Sequence, residues 1–166
     1  LSDGSTTIAL VSCDLIGLPS SLVTAIKERI ADLCGLGPEQ VLAGCTHTHT
    51  GPETRGQGMF PVEPAYSDVL VQKVADSVAL AKRRLEPAQI TYGLGSEGSV
   101  SFNRRFWMRD GTLRTNPGIG NPDIVRPAGP IDPTVGVIAL RRPDGSPIAV
   151  WLNFAVHLDT TGGNSV

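Results

Sequence analysis

The chain has little of several features that would direct it to a specialised class of protein. Its 14 basic and 16 acidic residues leave a formal net charge of −2, and aromatic residues make up only 5% of the 166 positions. A groove for nucleic acid needs excess positive charge interleaved with aromatic side chains, so nucleic acid is not expected as a partner. No apolar run approaches the roughly 20 residues that span a bilayer. What remains is an ordinary globular composition with enough apolar residues for one sizeable core.

Cysteine is also scarce, and an initiating methionine is absent. Cys13, Cys34 and Cys45 are odd in number and unrelated in spacing, which fits neither a disulfide framework nor a zinc-finger pattern. We expect them to be small buried hydrophobic residues, and they leave the redox compartment open. Because the chain starts at Leu1 and stops at Val166, just past a histidine segment, residues 1–166 are predicted to form one incomplete domain.

All three histidines lie in two short segments, residues 46–52 and 153–157, and each segment follows an apolar run typical of a buried strand. Imidazole is the commonest protein ligand for zinc, and a strand end holds the ring rigidly, so this placement indicates a metal site. His47 and His49 are two positions apart, and in extended backbone they would point to opposite faces. Both can reach one ion only if the backbone turns between them. The alternative is that the histidines are hydrogen-bonded loop and core residues.

The first third of the chain predicts a βαβ unit. An apolar strand over Thr7–Cys13 precedes a helix that starts at Ser20 or Ser21 and stops at Gly35, and a second strand follows over Val41–Cys45. Strands joined by such a crossover run parallel, so the residues that follow them emerge at one edge of the sheet. That edge is where open α/β sheets bind ligands.

The remaining pattern completes an α/β fold. An amphipathic helix ending near Leu85 is followed by a strand over Gln89–Leu94, a long irregular segment over residues 95–132, and a hairpin of Thr134–Arg141 with Ile148–Val156. The predicted architecture is a mixed β-sheet core with flanking helices, a layered α/β sandwich that begins with the βαβ unit.

A catalytic zinc usually takes three protein ligands and a water. Asp14, Glu53 and Asp159 are further candidate ligands by position, although each also suits a cap or loop. Either Asn153 or Asp14 is a candidate for orienting a ligand imidazole through its second nitrogen.

Several motifs occur in a characteristic order along nearly the whole chain. The most specific is His47-Thr48-His49-Thr50-Gly51-Pro52, and Asn153-Phe154-Ala155-Val156-His157 follows at the expected distance. The other motifs occupy residues 11–15, 101–104, 116–117 and 131–133. Together they resemble the amino-terminal catalytic domain of the neutral/alkaline ceramidases, as a divergent member.

The resemblance implies a zinc-dependent hydrolase of the amide bond in N-acyl sphingosines or related N-acyl substrates. It implies that His47 and His157 are zinc ligands, that His49 is an active-site histidine beside the metal, and that Arg104 is an active-site arginine. The family's remaining ligands, a glutamate and a tyrosine, would lie beyond residue 166. Peripheral membrane association and a secreted or periplasmic location are expected from the family only, and the oligomeric state stays open.

Two departures from the family pattern keep alternatives open. Arg105-Phe106 stands where the family has Ser-Pro, and Thr50 and Glu53 replace a serine and a glycine. The alternatives are an inactive ceramidase-like binding domain, or a hydrolase of the same fold that cleaves an ester, lactam or glycoside. Arg104 and Arg105 would then be surface residues paired with Asp110 or Asp132.

Overall fold

The computed structural model describes residues 1–58 and 60–157. These residues form two α-helices and eight strands: β1 (Ala9–Cys13), α1 (Ser20–Cys34), β2 (Val41–Cys45), α2 (Pro64–Arg83), β3 (Gln89–Ser96), β4 (Arg105–Met108), β5 (Leu113–Thr115), β6 (Ile124–Pro127), β7 (Thr134–Arg141) and β8 (Pro147–Phe154). The described residues group into two compact units, Leu1–Glu86 and Pro87–His157. The predicted α/β class is confirmed, whereas the single, incomplete domain stays a prediction.

The first unit begins with the predicted βαβ arrangement. Strands β1 and β2 are parallel and in register from Ala9 opposite Val41 to Cys13 opposite Cys45, and α1 connects them. Helix α1 ends where Gly35 adopts a left-handed φ of 66°, and the Gly35 N–H donates to the Ala31 carbonyl. Glycine takes this conformation without steric cost, so it ends the helix cleanly.

The core of the first unit lies between the two helices and the parallel strands. From α1 it takes Ile26 and Ile30, which have no exposed surface, together with Cys34. Leu33 is 41% exposed, and Cys34 is the buried residue of that turn. The buried residues of α2 are Val74, Ala75, Val78 and Ala79.

Helix α2 starts earlier than its apolar pattern indicates. Pro64 occupies its first turn, and the Glu63 carboxylate accepts a hydrogen bond from the Ala65 N–H. At the other end, Lys82 donates from Nζ to the Cys34 carbonyl oxygen at 2.6 Å, which ties the last turn of α2 to the end of α1. Neither helix in the described part of the chain is long and apolar enough to cross a bilayer.

The second unit contains two antiparallel sheets in the strand orders β3-β7-β8 and β5-β4-β6. The predicted hairpin of β7 and β8 is confirmed, with its turn closed by a hydrogen bond from the Gly145 N–H to the Arg142 carbonyl. The prediction that residues 95–132 are irregular is wrong, because β4, β5 and β6 lie there. These strands are only three or four residues long. A segment this short shows too few alternations for its period to stand out from the surrounding glycines and prolines.

Replacing Ile26 with alanine is expected to lower the free energy of unfolding by about 2–5 kcal/mol, because a fully buried side chain is lost and a cavity remains. Leu33→Ala on the same helix is the matched control and should cost less than about 1 kcal/mol, since Leu33 is 41% exposed. Urea unfolding followed by circular dichroism measures both. Equal losses in the two variants would contradict the described core.

Candidate metal centre

The loop after β2 is anchored on the loop after β1. The Thr46 N–H donates to the Cys13 carbonyl at 3.0 Å, and the His47 N–H donates to the Leu15 carbonyl at 3.1 Å. Further along, the hydroxyl of the buried Thr54 donates to the Gly17 carbonyl at 2.6 Å. The carbonyls of the first loop thus satisfy donors of the second, which fixes the backbone at the carboxyl edge of the parallel pair.

His47 is held by both its backbone and its ring. Its φ is 63°, a left-handed conformation that is uncommon outside glycine but enriched in histidine. Its Nδ1 lies 2.7 Å from the carbonyl oxygen of Ile16. A carbonyl only accepts, so Nδ1 carries the proton, and in the neutral ring the lone pair is then on Nε2. Metal-binding histidines are generally oriented in this way through the second nitrogen.

The left-handed turn at His47 also decides where His49 lies. Extended backbone would send the two rings to opposite faces, but the rings are neighbours, with centroids 5.2 Å apart and planes at 85°. The backbone therefore turns between His47 and His49, as it must if one ion is to reach both side chains.

Two histidine side chains of the first unit lie next to each other after β2. His47 and His49 are both exposed, and the Ile16 carbonyl fixes the tautomer of His47. Imidazole nitrogens are preferred zinc ligands, so these two rings can contribute to a metal site. His157, in the second unit, is half-buried and follows β8.

Gly51 allows the two loops to approach each other. A Cβ at this position would lie 2.8 Å from the carbonyl oxygen of Asp14, which is closer than real Cβ contacts occur. The obstruction is backbone, so it cannot rotate away. The glycine of the His-Thr-His-Thr-Gly-Pro segment is therefore required by packing next to the histidines.

The carboxylates predicted as further ligands are placed differently. Among the described residues, no group of close ligand atoms contains Asp14 or Glu53. The Glu53 carboxylate accepts a hydrogen bond from the backbone N–H of Arg55 at 2.7 Å. It also forms an ion pair with the Arg55 guanidinium at 3.6 Å. The Arg55 N–H, and secondarily the Arg55 charge, hold the pKa of Glu53 below its ordinary value. Asp159 lies outside the described residues.

Arg104 directly precedes β4, Arg105 is the first residue of that strand, and both are exposed. The Arg104 carbonyl accepts from the Asn116 N–H, and the Arg105 N–H donates to Asn103 Oδ1. The carboxylates considered as their partners bond elsewhere. Asp110 forms an ion pair with Arg114 at 2.8 Å, and Asp132 accepts from the Thr134 N–H at 2.9 Å. The catalytic role of Arg104 stays a prediction, as do the ligand roles of His47 and His157 and the catalytic role of His49.

Sequence reasoning missed the group that orients His47. It considered the side chains of Asp14 and Asn153, whereas the partner is the backbone carbonyl of Ile16. Every residue carries a carbonyl, so no side-chain pattern signals this contact. Gly51 did carry a signal, because it belongs to the same His-Thr-His-Thr-Gly-Pro segment as the histidine pair.

The chain is similar in fold to solved ceramidase structures. A neutral ceramidase from Pseudomonas aeruginosa superposes with a TM-score of 0.66 at 21% identity, over 90% of this chain and 24% of that one. A structure described as a ceramidase complexed with C2 gives a TM-score of 0.65 at 21% identity, over 90% of this chain and 23% of that one. No family model and no curated protein matches the sequence. The protein therefore has a ceramidase-like fold and spans about a quarter of the length of these structures.

Gly51→Ala is expected to lower the free energy of unfolding by about 1–3 kcal/mol, because the new methyl group meets the Asp14 carbonyl and forces the loops apart. Gly44→Ala is the matched control, since a Cβ there meets nothing within 4 Å and the change should stay within about 0.5 kcal/mol. Chemical denaturation measures both. If Gly51→Ala is as stable as Gly44→Ala, the close approach of the loops is not as described.

Proposed function

We propose that this protein is a zinc-dependent hydrolase of the ceramidase type that cleaves the amide bond of an N-acyl sphingosine or related N-acyl substrate. The observation that carries the proposal is the pair of neighbouring rings of His47 and His49, with His47 oriented by the Ile16 carbonyl, in a chain with a ceramidase-like fold. The fold alone would leave the chemistry open, because one fold hosts many activities. The oriented histidine pair favours chemistry at a metal ion.

His47 and His157 are the proposed zinc ligands. His47 would bind zinc through Nε2, because its Nδ1 donates a hydrogen bond to the Ile16 carbonyl. That hydrogen bond also keeps the ring from rotating. When bound, zinc supplies Lewis-acid polarisation of the substrate carbonyl and activates water near neutral pH. The protein's contribution is to hold the ring nitrogens in place before the ion arrives, so that little conformational freedom is lost on binding.

His49 is the proposed proton carrier. Its ring stands edge-on to that of His47, with the centroids 5.2 Å apart, and so lies beside the ligand nitrogens. From there it would deliver a proton to the departing amine, or donate a hydrogen bond to the oxygen on which negative charge develops. Arg104 is proposed to neutralise part of that charge through its guanidinium.

Metal content separates the ligand role from the catalytic role. After dialysis, the purified polypeptide carrying this sequence should retain about one zinc per chain. His47→Ala and His157→Ala should lose it, because each removes a ligand nitrogen. His49→Ala should retain it. Elemental analysis measures all four proteins. Retention of zinc in both His47→Ala and His157→Ala would overturn the assignment of the ligands.

Activity tests the remaining residues. With a fluorogenic N-acyl amide, His49→Ala should lower kcat by about 10²–10⁴-fold at unchanged zinc content, because a positioned proton donor is lost. Arg104→Ala should lower kcat by about 10²-fold, and Arg109→Ala, which removes another exposed arginine at the far end of β4, is its control. Equal rates for Arg104→Ala and Arg109→Ala would remove Arg104 from the mechanism.

Metal removal and a substrate panel test the reaction class. A chelator should abolish hydrolysis, and added zinc should restore it, because the activated water depends on the ion. Amides should be cleaved faster than matched esters, lactams and glycosides. Hydrolysis of another bond in preference to the amide would establish a different hydrolase on this fold. Stoichiometric zinc without hydrolysis of any of these substrates would establish a binding domain.

A further inference from the structure

Two of the three cysteines are direct cross-strand neighbours. Cys13 is the last residue of β1, Cys45 is the last residue of β2, and the two are partners in the parallel register. Neighbouring strands lie about 4.8 Å apart, within the Cα separation of about 4.4–6.8 Å that a disulfide spans. Both are free cysteines in the structure.

The two side chains also share a face of the strand pair. In each strand the core-facing positions alternate, and they include Val11 with Cys13 in β1 and Val41 with Cys45 in β2. Cys13 belongs to the buried core, and Cys45 packs against that core while remaining partly exposed. No side chain stands between partners in adjacent strands, so the thiols face the same space.

We propose that Cys13 and Cys45 form a redox-active pair that closes to a disulfide at the carboxyl ends of β1 and β2. Cys45 is the residue that reacts first with an oxidant, because it is the more exposed of the two. Cys13 then resolves the intermediate from its buried position next to it.

The oxidant class is a small-molecule disulfide such as oxidised glutathione. The Cys45 sulfur attacks one glutathione sulfur, which breaks the glutathione disulfide and releases the first reduced glutathione. The Cys13 sulfur then attacks Cys45 in this mixed disulfide and releases the second. Two protein thiols are oxidised by two electrons, and both electrons and both protons leave on the two glutathione thiols.

Burial makes the reaction slow. Cys13 belongs to the buried core and Cys45 is only partly exposed, so an oxidant reaches these thiols less readily than it reaches a surface cysteine. Closure should therefore take longer than the modification of a surface thiol.

The bond would join the strand ends that carry the histidine loop. Cys45 is followed by Thr46 and His47, and the Cys13 carbonyl accepts the Thr46 N–H at 3.0 Å. A disulfide would therefore fix the distance between the end of β2 and the loop after β1, which contains the Ile16 carbonyl that orients His47. This inference does not depend on the proposed hydrolase activity, because it concerns only the two strands.

The test is oxidation of the purified polypeptide with excess oxidised glutathione, followed by alkylation of remaining thiols and peptide mapping by mass spectrometry. The expected product has lost two hydrogen masses, contains one Cys13–Cys45 linkage and carries a single alkyl group on Cys34. Cys34 is the internal control, because it is buried in the same core but has no cross-strand partner cysteine.

Two variants sharpen the result. Cys34→Ala should still form the linkage, and Cys13→Ala should stop with one glutathione on Cys45. Two outcomes in Cys34→Ala would each overturn the proposal. One is that both thiols remain reduced, and the other is that each keeps its own glutathione without closure. A linkage to Cys34 in the unmodified chain would overturn it as well.

Discussion

The contact on which the candidate site depends is the 2.7 Å hydrogen bond between His47 Nδ1 and the carbonyl oxygen of Ile16. It fixes the tautomer of the ring, and with the His47 N–H bonded to the Leu15 carbonyl it holds a left-handed backbone turn. A non-glycine residue in that conformation costs about 1–2 kcal/mol. Two hydrogen bonds of about 1 kcal/mol each are of the size needed to offset this cost. The left-handed turn is therefore sustained by the loop after β1, and it is what makes His49 a neighbour of His47.

The first unit could be predicted closely from the sequence because its signals are local. Strand β2 has the predicted bounds, and α1 runs from the predicted Ser20 to the predicted stop at Gly35. The structure of residues 95–132 was harder to predict, because β4, β5 and β6 are short strands. Their pairing is set by contacts between residues that are distant in the sequence. Asn103 shows the kind of contact involved, since its side-chain amide donates to the Gly129 and Pro130 carbonyls, more than twenty residues away. Such contacts leave no periodic pattern.

The histidines of the site could be found from the sequence, but their arrangement could not. Their position after apolar runs indicated a metal site, and the structure brings the rings of His47 and His49 together. Whether the rings of His47 and His49 lie on one side depends on a single backbone dihedral, and a histidine has no strong preference that reveals it. The orienting carbonyl of Ile16 is equally invisible, because it is a backbone group. The order of the motifs, by contrast, is visible in the sequence and resembles that of the ceramidases. The fold is similar to theirs even though the sequence identity is only 21%.

The central claim is our proposal that His47 is a zinc ligand and binds through Nε2. A crystal structure of the zinc-loaded protein, with anomalous data collected on both sides of the zinc absorption edge, tests it most directly. The account predicts one strong anomalous peak about 2.0–2.1 Å from His47 Nε2, with His157 as a second ligand and Nδ1 of His47 still bonded to Ile16. A peak at Nδ1, or zinc bound only away from the histidines, would contradict it.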